Sequence, residues 1–241
     1  MPDDFANAAT PLWHAQLPGR PLAGLTVLVV EDSRFASEAV RLLCLRSGAR
    51  IRRAENLQSA HRHLRTYRPA VVIVDVGLPD GSGTTLIRAV ADLRPSVPVI
   101  LGMSGDDGNR DSAIAAGAHG FLAKPIESLA VFQQTILAAL PPAARKKGLR
   151  LLPDDRIVPD DASLRDDLTL VAQTLAAADT AGGIDYIVNF LAGVARSSHD
   201  TPLADAADAL ARDHSEGRAL AAGLARLSGM VQDRLGKVSA G

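Results

Sequence analysis

The sequence predicts a doubly wound α/β domain with a five-stranded parallel sheet, followed by a small all-α helical bundle. Between about residues 24 and 140, short apolar runs alternate with helical segments, which is typical of right-handed βαβ units. From residue 160 onward the pattern is helical throughout. A chain of 241 residues is long enough for two small domains of this kind.

Three apolar runs are β-branched and lack polar alternation, as strands covered on both faces do. They span residues 26–30, 71–74 and 98–101. A shorter run at 120–123 and an edge-like segment at 50–53, which follows Gly48, are predicted to complete the sheet. We therefore expect five strands, most of them buried.

Helical patterns fill the intervals between these runs, at residues 33–46, 56–67, 84–93 and 129–140. Gly48 ends the first helix, and Pro69 and Pro95 follow the second and the third, as is typical of helix C-termini. Strands that alternate with helices of this length predict a parallel sheet with helices on both faces.

The segments outside the α/β domain differ in composition. Residues 1–23 hold four prolines and are predicted to be a flexible lead-in, and residues 141–159 are basic, then proline-rich, then acidic, as in a linker. Residues 160–238 contain four amphipathic helices joined by short connections, which predicts an antiparallel bundle. Thr201 followed by Pro202 is the predicted N-cap of the third of these helices.

Composition narrows the function classes. The net charge is −1, so nothing in bulk charge attracts nucleic acid or an acidic membrane. The one cysteine, Cys44, lies among apolar neighbours, as a buried thiol in a reducing compartment does. No basic-then-apolar leader is present, and no apolar run approaches the ~20 residues of a membrane helix. We expect a cytoplasmic protein that makes no membrane contact.

Polar residues follow the predicted strands at their carboxyl ends, where ligands bind in open α/β sheets. They are Glu31, Asp32, Asp75, Ser104 and Lys124. Clustered carboxylates repel one another unless a cation holds them, and Mg²⁺ suits such oxygen ligands. A carboxylate can accept a phosphoryl group covalently, while a lysine and a hydroxyl stabilise the charge on the transferred oxygens. The pattern therefore indicates Mg²⁺-dependent phosphoryl chemistry.

The motifs VLVVEDS (27–33), VVIVDVGLPDGSG (71–83) and GAHGFLAKP (117–125) resemble the receiver domains of bacterial two-component response regulators, over roughly residues 25–140. The resemblance implies a flavodoxin-like fold. It also implies that Asp75 is the phospho-acceptor and that Glu31 and Asp32 position Mg²⁺, with the carbonyl of Gly77 as a further metal ligand.

The same resemblance implies a switch formed by Ser104 and Phe121, a phosphoryl-binding Lys124, and a cis-type turn at Pro125. Ser104 lies one residue farther from Pro98 than in the family pattern, and residues 104–124 are slightly short. This predicts a trimmed helix after Ser104, together with its leading loop DDGNRDS (106–112). Two alternatives stay open: a pseudo-receiver that keeps the fold without phosphorylation, and a purely structural Phe121 in the core.

The resemblance further implies that a histidine kinase or a histidine phosphotransfer protein donates the phosphoryl group, with no enzyme activity beyond Mg²⁺-dependent self-phosphorylation and self-dephosphorylation. Residues 160–241 hold twelve Asp and Glu against seven Lys and Arg, so we expect no DNA contact there. We expect signalling through protein–protein contacts of the bundle, to another protein or a second copy. The alternatives are a phosphate sink or adaptor, and a transcriptional regulator.

The segment NFLAGVA (189–195) resembles the H-x-L-K-G-x-A helix of histidine phosphotransfer domains, with Asn189 at the histidine and Ala192 at the lysine. An amide nitrogen is no nucleophile, so the resemblance implies a degenerate phosphotransfer-like bundle used for docking or dimerising. An ordinary amphipathic helix is the alternative. His199 and His214 are expected to face solvent or cap helices, and whether either carries phosphate stays open.

Overall fold

The computed structural model describes residues 20–94, 96–141, 155–177 and 184–238. Most of the predicted lead-in and linker lies outside these residues. The five strands of the main sheet are β1 (Thr26–Val30), β2 (Arg50–Ala54), β3 (Val71–Asp75), β6 (Val99–Ser104) and β7 (Gly120–Ala123). Their order is β2-β1-β3-β6-β7, and every neighbouring pair is parallel. A small antiparallel hairpin, β4 (Gly77–Leu78) and β5 (Gly81–Ser82), follows β3.

Helices cover both faces of this sheet, as predicted. They are α1 (Arg34–Ser47), α2 (Leu57–Thr66), α3 (Gly83–Ala91), α4 (Asn109–Ala115) and α5 (Leu129–Ala139). The side chain of Ser33 caps α1 by accepting from the Ala36 N–H, and Gly48 ends the helix at a φ of 81°. Helix α4 has only seven residues, in agreement with the predicted trimming.

The alternation of side chains along each strand divides the core into two halves. Val27 and Val29 point to the α1 and α5 side, whereas Leu28 and Val30 point to the side of α2, α3 and α4. Beyond α5 the chain returns to this domain, because Ile157 is buried in the α1 and α5 half and its N–H donates to the Glu127 carbonyl. This return anchors the start of the second domain beside the strand ends.

The bundle consists of α6 (Asp161–Ala177), α7 (Ile184–Ser197), α8 (Thr201–Ser215) and α9 (Ala221–Val238). The predicted apolar faces form its core. One detail of the prediction is wrong: the N-cap of α8 is Asp200, not Thr201. The Asp200 carboxylate accepts from the Leu203 N–H and also pairs with Arg234, which a threonine hydroxyl could not do.

No helix among the described residues is long and apolar enough to cross a membrane. The thiol of Cys44 is buried in the core of the α/β domain, as expected. Helices α6 and α7 both pack against α1, and α7 also packs against β4, which follows β3 closely. The bundle therefore lies over the edge of the sheet where the predicted site residues converge.

Candidate functional site

Four of the predicted residues meet at the carboxyl ends of β1, β3 and β7. The Lys124 ammonium lies 2.6 Å from Oε2 of Glu31 and 3.2 Å from Oδ2 of Asp75. Glu31, Asp32 and Asp75 offer carboxylate oxygens that all lie within 4.8 Å of one another. The sheet order places β1 and β3 side by side, so their terminal acidic residues are neighbours.

The backbone around Asp75 holds its side chain in place. Val76 continues the strand pairing, since its N–H donates to the Met103 carbonyl at 3.0 Å. The hairpin then folds Gly83 back against the strand, where an added Cβ would lie only 1.9 Å from the Asp75 carbonyl oxygen. Only glycine fits at this position, so the GLPDGSG segment also has a steric role that the sequence reasoning missed.

Burial and mutual repulsion determine the electrostatics of the three carboxyl groups. Burial raises the pKa of Asp75 and that of Glu31 to about 7, although the nearby Lys124 lowers both. The pKa of Asp32 is also raised by burial, while a hydrogen bond from Tyr186 lowers it. For Lys124, burial opposes the charged form, but Asp75 and Glu31 outweigh it and raise the pKa.

The donor set fits a divalent cation. Three carboxylates and one ammonium leave an excess of negative charge in a buried site, and the oxygens are hard ligands of the kind that Mg²⁺ prefers. Glu31, Asp32 and Asp75 are the residues that would hold it. Gly77 lines the same cavity and its N–H donates to the Asp75 carboxylate, whereas the metal-binding role of its carbonyl stays a prediction.

The two predicted switch residues lie in different surroundings. Ser104 is buried at the end of β6 and lines the cavity, and its Oγ accepts from the Asp106 N–H and the Asn109 amide, both at 3.1 Å. Phe121 lies in the core beneath the guanidinium of Arg110, 5.0 Å from the ring centre. These positions do not test the switch, which stays a prediction for both residues.

The bundle contributes residues that the sequence reasoning missed. The Tyr186 hydroxyl donates to Oδ2 of Asp32 at 2.5 Å. The buried carboxylate of Asp167 accepts from the Ser33 hydroxyl at 2.7 Å and from the first two N–H groups of α1, at 2.8 and 3.0 Å. Asp167 thus binds the N-terminus of α1, where backbone donors have no partner within the helix.

Between the two domains lies a cavity of about 420 Å³. Glu31, Asp32, Asp75 and Lys124 line one wall, and α7 lines the other. Asn189, the residue at the histidine position of the phosphotransfer-like motif, is one of the α7 residues on this wall. The face of α7 that carries the motif is therefore directed at the predicted phospho-acceptor of the same chain.

The two histidines of the bundle lie away from the cavity wall. His199 is exposed, has a φ of 58° and contacts the Glu127 carboxylate through its Nε2. The Nε2 of His214 is 3.2 Å from Asp185 on α7. Neither residue lines the cavity that holds Asp75.

Parts of the chain are similar to known proteins. The family model of the response regulator receiver domain matches residues 27–135. The chain is 38% identical over 102 residues to the KDP operon transcriptional regulatory protein KdpE of Escherichia coli, across 41% of this chain and 44% of KdpE. It is 31% identical over 117 residues to the virulence transcriptional regulatory protein PhoP of Salmonella typhimurium, across 47% of this chain and 52% of PhoP.

Among solved structures, a response regulator of Burkholderia pseudomallei is 32% identical, with a TM-score of 0.41, across 50% of this chain and 68% of that protein. The match to the curated relatives covers about half of their length. The residues that the family model matches all lie in the α/β domain, so the bundle is interpreted from its own residues.

Proposed function

We propose, from the premise that residues 27–135 are a response regulator receiver domain, that Asp75 accepts a phosphoryl group from a histidine kinase or a histidine phosphotransfer protein. The observation that carries this proposal is the position of the Asp75 carboxylate, 3.2 Å from the Lys124 ammonium and beside two further carboxylates at the strand ends. The set provides a nucleophile, a fixed cation and a cation-binding site in one place.

In this reaction an Oδ of Asp75 attacks the phosphorus while the P–N bond of the donor phosphohistidine breaks. The leaving imidazole takes a proton from solvent, and Asp75 becomes an acyl phosphate. Lys124 provides fixed positive charge beside the transferred oxygens, and Ser104 can donate its hydroxyl proton, which has no partner among the described residues. The protein's own contribution is thus positioning and electrostatics, and we propose no further enzyme activity.

Mg²⁺ bound by Glu31, Asp32 and Asp75 would neutralise charge on the phosphoryl oxygens. It would also lower the pKa of Asp75 from about 7, which would keep the carboxylate ionised and nucleophilic at neutral pH. The clustering of the Glu31, Asp32 and Asp75 oxygens within 4.8 Å supports a cation at this site, because burial without one disfavours the charged forms of Asp75 and Glu31.

Incubation of the full chain with acetyl phosphate and Mg²⁺, followed by intact mass measurement, tests the proposal. We expect one phosphoryl mass on the wild type and none on Asp75→Ala. Asp107→Ala is a matched control, because it removes the same charge from an exposed position in the loop after β6. A wild-type protein that is folded but gains no mass in the presence of Mg²⁺ would leave a pseudo-receiver.

We propose further that the helical bundle carries the output through protein–protein contacts. Its α6 and α7 helices already contact the receiver site through Asp167 and Tyr186, so added charge at Asp75 arises at the interface between the domains. The acidic balance of residues 160–241 supports a protein partner over nucleic acid. Small-angle scattering and the oligomeric state, measured before and after phosphorylation, test whether phosphorylation of Asp75 changes the contacts of the bundle.

Transcriptional regulation is the second candidate, since KdpE and PhoP are both described as transcriptional regulatory proteins. Selection of random-sequence DNA duplexes that bind the phosphorylated full chain would distinguish DNA binding from signalling through protein–protein contacts. Retention of a specific duplex would favour a transcriptional regulator. A bundle that binds a kinase with the same affinity whether or not Asp75 is phosphorylated would instead favour a phosphate sink or adaptor.

A further inference from the structure

One face of helix α7 forms the second wall of the cavity above Asp75. Tyr186, Asn189, Gly193 and Arg196 are spaced by three or four residues, so they share this face, and all four line the cavity. The volume of about 420 Å³ exceeds the ~30 Å³ that one water occupies in the liquid many times over. A phosphoryl group and several waters therefore fit between the docked domains.

Among the described residues that line this cavity, Lys124 and Arg196 are the two with fixed positive charge. Lys124 is already paired with Glu31 and Asp75. Arg196 is paired through Nη2 alone, which donates to the two carboxylate oxygens of Asp208 at 2.7 and 2.6 Å. Its Nη1 and Nε make no hydrogen bond to the described residues, so two donor groups remain for a ligand.

The guanidinium of Arg196 lies over the end of β6. A Cβ placed on Gly105 would be 3.6 Å from Cδ and 3.8 Å from Nη1 of Arg196. Gly105 directly follows Ser104, the residue whose hydroxyl proton is free to be donated in the cavity. Arg196 therefore lies on the same side of the cavity as the Ser104 hydroxyl.

We propose that Arg196 of the bundle binds the phosphoryl group on Asp75, so that the second domain reads phosphorylation through a direct contact. The inference rests on the proposed function of Asp75. A phosphoryl group brings negative charge and three acceptor oxygens into the cavity, and a guanidinium matches phosphate oxygens in both charge and geometry. Asp208 is the competing partner, which holds Arg196 while Asp75 is unmodified.

This contact is tested by titrating the full chain with beryllofluoride in the presence of Mg²⁺ and measuring the binding by calorimetry. Beryllofluoride serves as the probe in place of the phosphoryl group, so no turnover is needed. We expect Arg196→Gln to bind the probe at least about tenfold more weakly, as for the loss of a charge-assisted hydrogen bond. Arg196→Lys should recover part of the affinity, because the charge remains. Asp208→Asn should bind as tightly as wild type or more tightly, because it releases Arg196 from its partner.

These variants separate a ligand from a structural ion pair. If Arg196 only held α7 against α8 through Asp208, then Arg196→Gln and Asp208→Asn would lower the affinity for beryllofluoride to the same extent. That result, or wild-type affinity in Arg196→Gln, overturns the inference and leaves phospho-acceptance by Asp75 intact. If the wild-type chain binds no beryllofluoride and gains no phosphoryl mass, both the Arg196 contact and phospho-acceptance by Asp75 are overturned.

Discussion

Asp167 holds the two domains together in the structure, and its removal should loosen the interface. The carboxylate is buried and accepts three hydrogen bonds from Ser33, Arg34 and Phe35 at the N-terminus of α1. Asp167→Ala leaves two backbone donors and a hydroxyl without this acceptor inside the interface. The helix itself should persist, because Ser33 still caps it through the Ala36 N–H.

The size of the effect follows from the contacts. Each hydrogen bond to a charged acceptor contributes about 1.5–3 kcal/mol, and burial of the carboxylate offsets part of the sum, as the raised pKa of Asp167 indicates. We expect Asp167→Ala to lower the free energy of unfolding by about 3 kcal/mol, measured by urea unfolding and circular dichroism.

The adjacent residue provides a matched control. Asp166 carries the same charge, is exposed, and forms a salt bridge with Arg34 at 2.9 Å. Because exposed pairs contribute about 0–1 kcal/mol, Asp166→Ala should change the free energy of unfolding little. Equal effects of Asp166→Ala and Asp167→Ala, or no effect of either, would refute the assignment of Asp167 as the anchor of the interface.

Three further predictions follow from buried groups. Because burial raises the pKa values of Glu31 and Asp75 from 4.5 and 3.8 to about 7, the metal-free protein should lose stability as pH rises from about 4 to about 7. Thermal unfolding across this pH range checks the loss, and Mg²⁺ at pH ~7 should reverse it. Tyr186→Phe should raise the pKa of Asp32 further, because it removes a hydrogen bond to the carboxylate. Carboxyl ¹³C NMR titration without metal measures this pKa, and an unchanged value would contradict the prediction. Burial raises the pKa of the Cys44 thiol to about 12, so a thiol reagent should react with the native protein much more slowly than with the protein in urea, and equal rates would contradict its burial.

The α/β domain could be predicted in detail because its signals are local. Residues 26–30 and 120–123 match the observed strands, since a strand buried on both faces needs an apolar run wherever it occurs. Strand β6 extends beyond the predicted residues 98–101 to Ser104, because pairing with its neighbours continues through Gly102 and Met103, which carry little strand signal of their own. The positions of the site residues could be predicted for the same reason, as each lies at the carboxyl end of a strand or within two residues after it.

The interface between the domains could not be predicted, because its contacts join distant parts of the chain. Tyr186 contacts Asp32 across 154 positions, and Asp167 contacts Ser33 across 134. In the sequence, Asp167 on α6 cannot be distinguished from an aspartate on the solvent-exposed face of a helix. The phosphotransfer-like motif was the one local signal, and it singled out Asn189, which lines the cavity above Asp75.

The most direct test of the account is to locate the phosphoryl group on the residue itself. The full chain would be treated with acetyl phosphate and Mg²⁺, reduced with borohydride to convert an acyl phosphate into homoserine, digested, and sequenced by mass spectrometry. We expect homoserine at position 75 and at none of the other aspartates. Homoserine at another aspartate, or none in a folded and Mg²⁺-loaded protein, would contradict it.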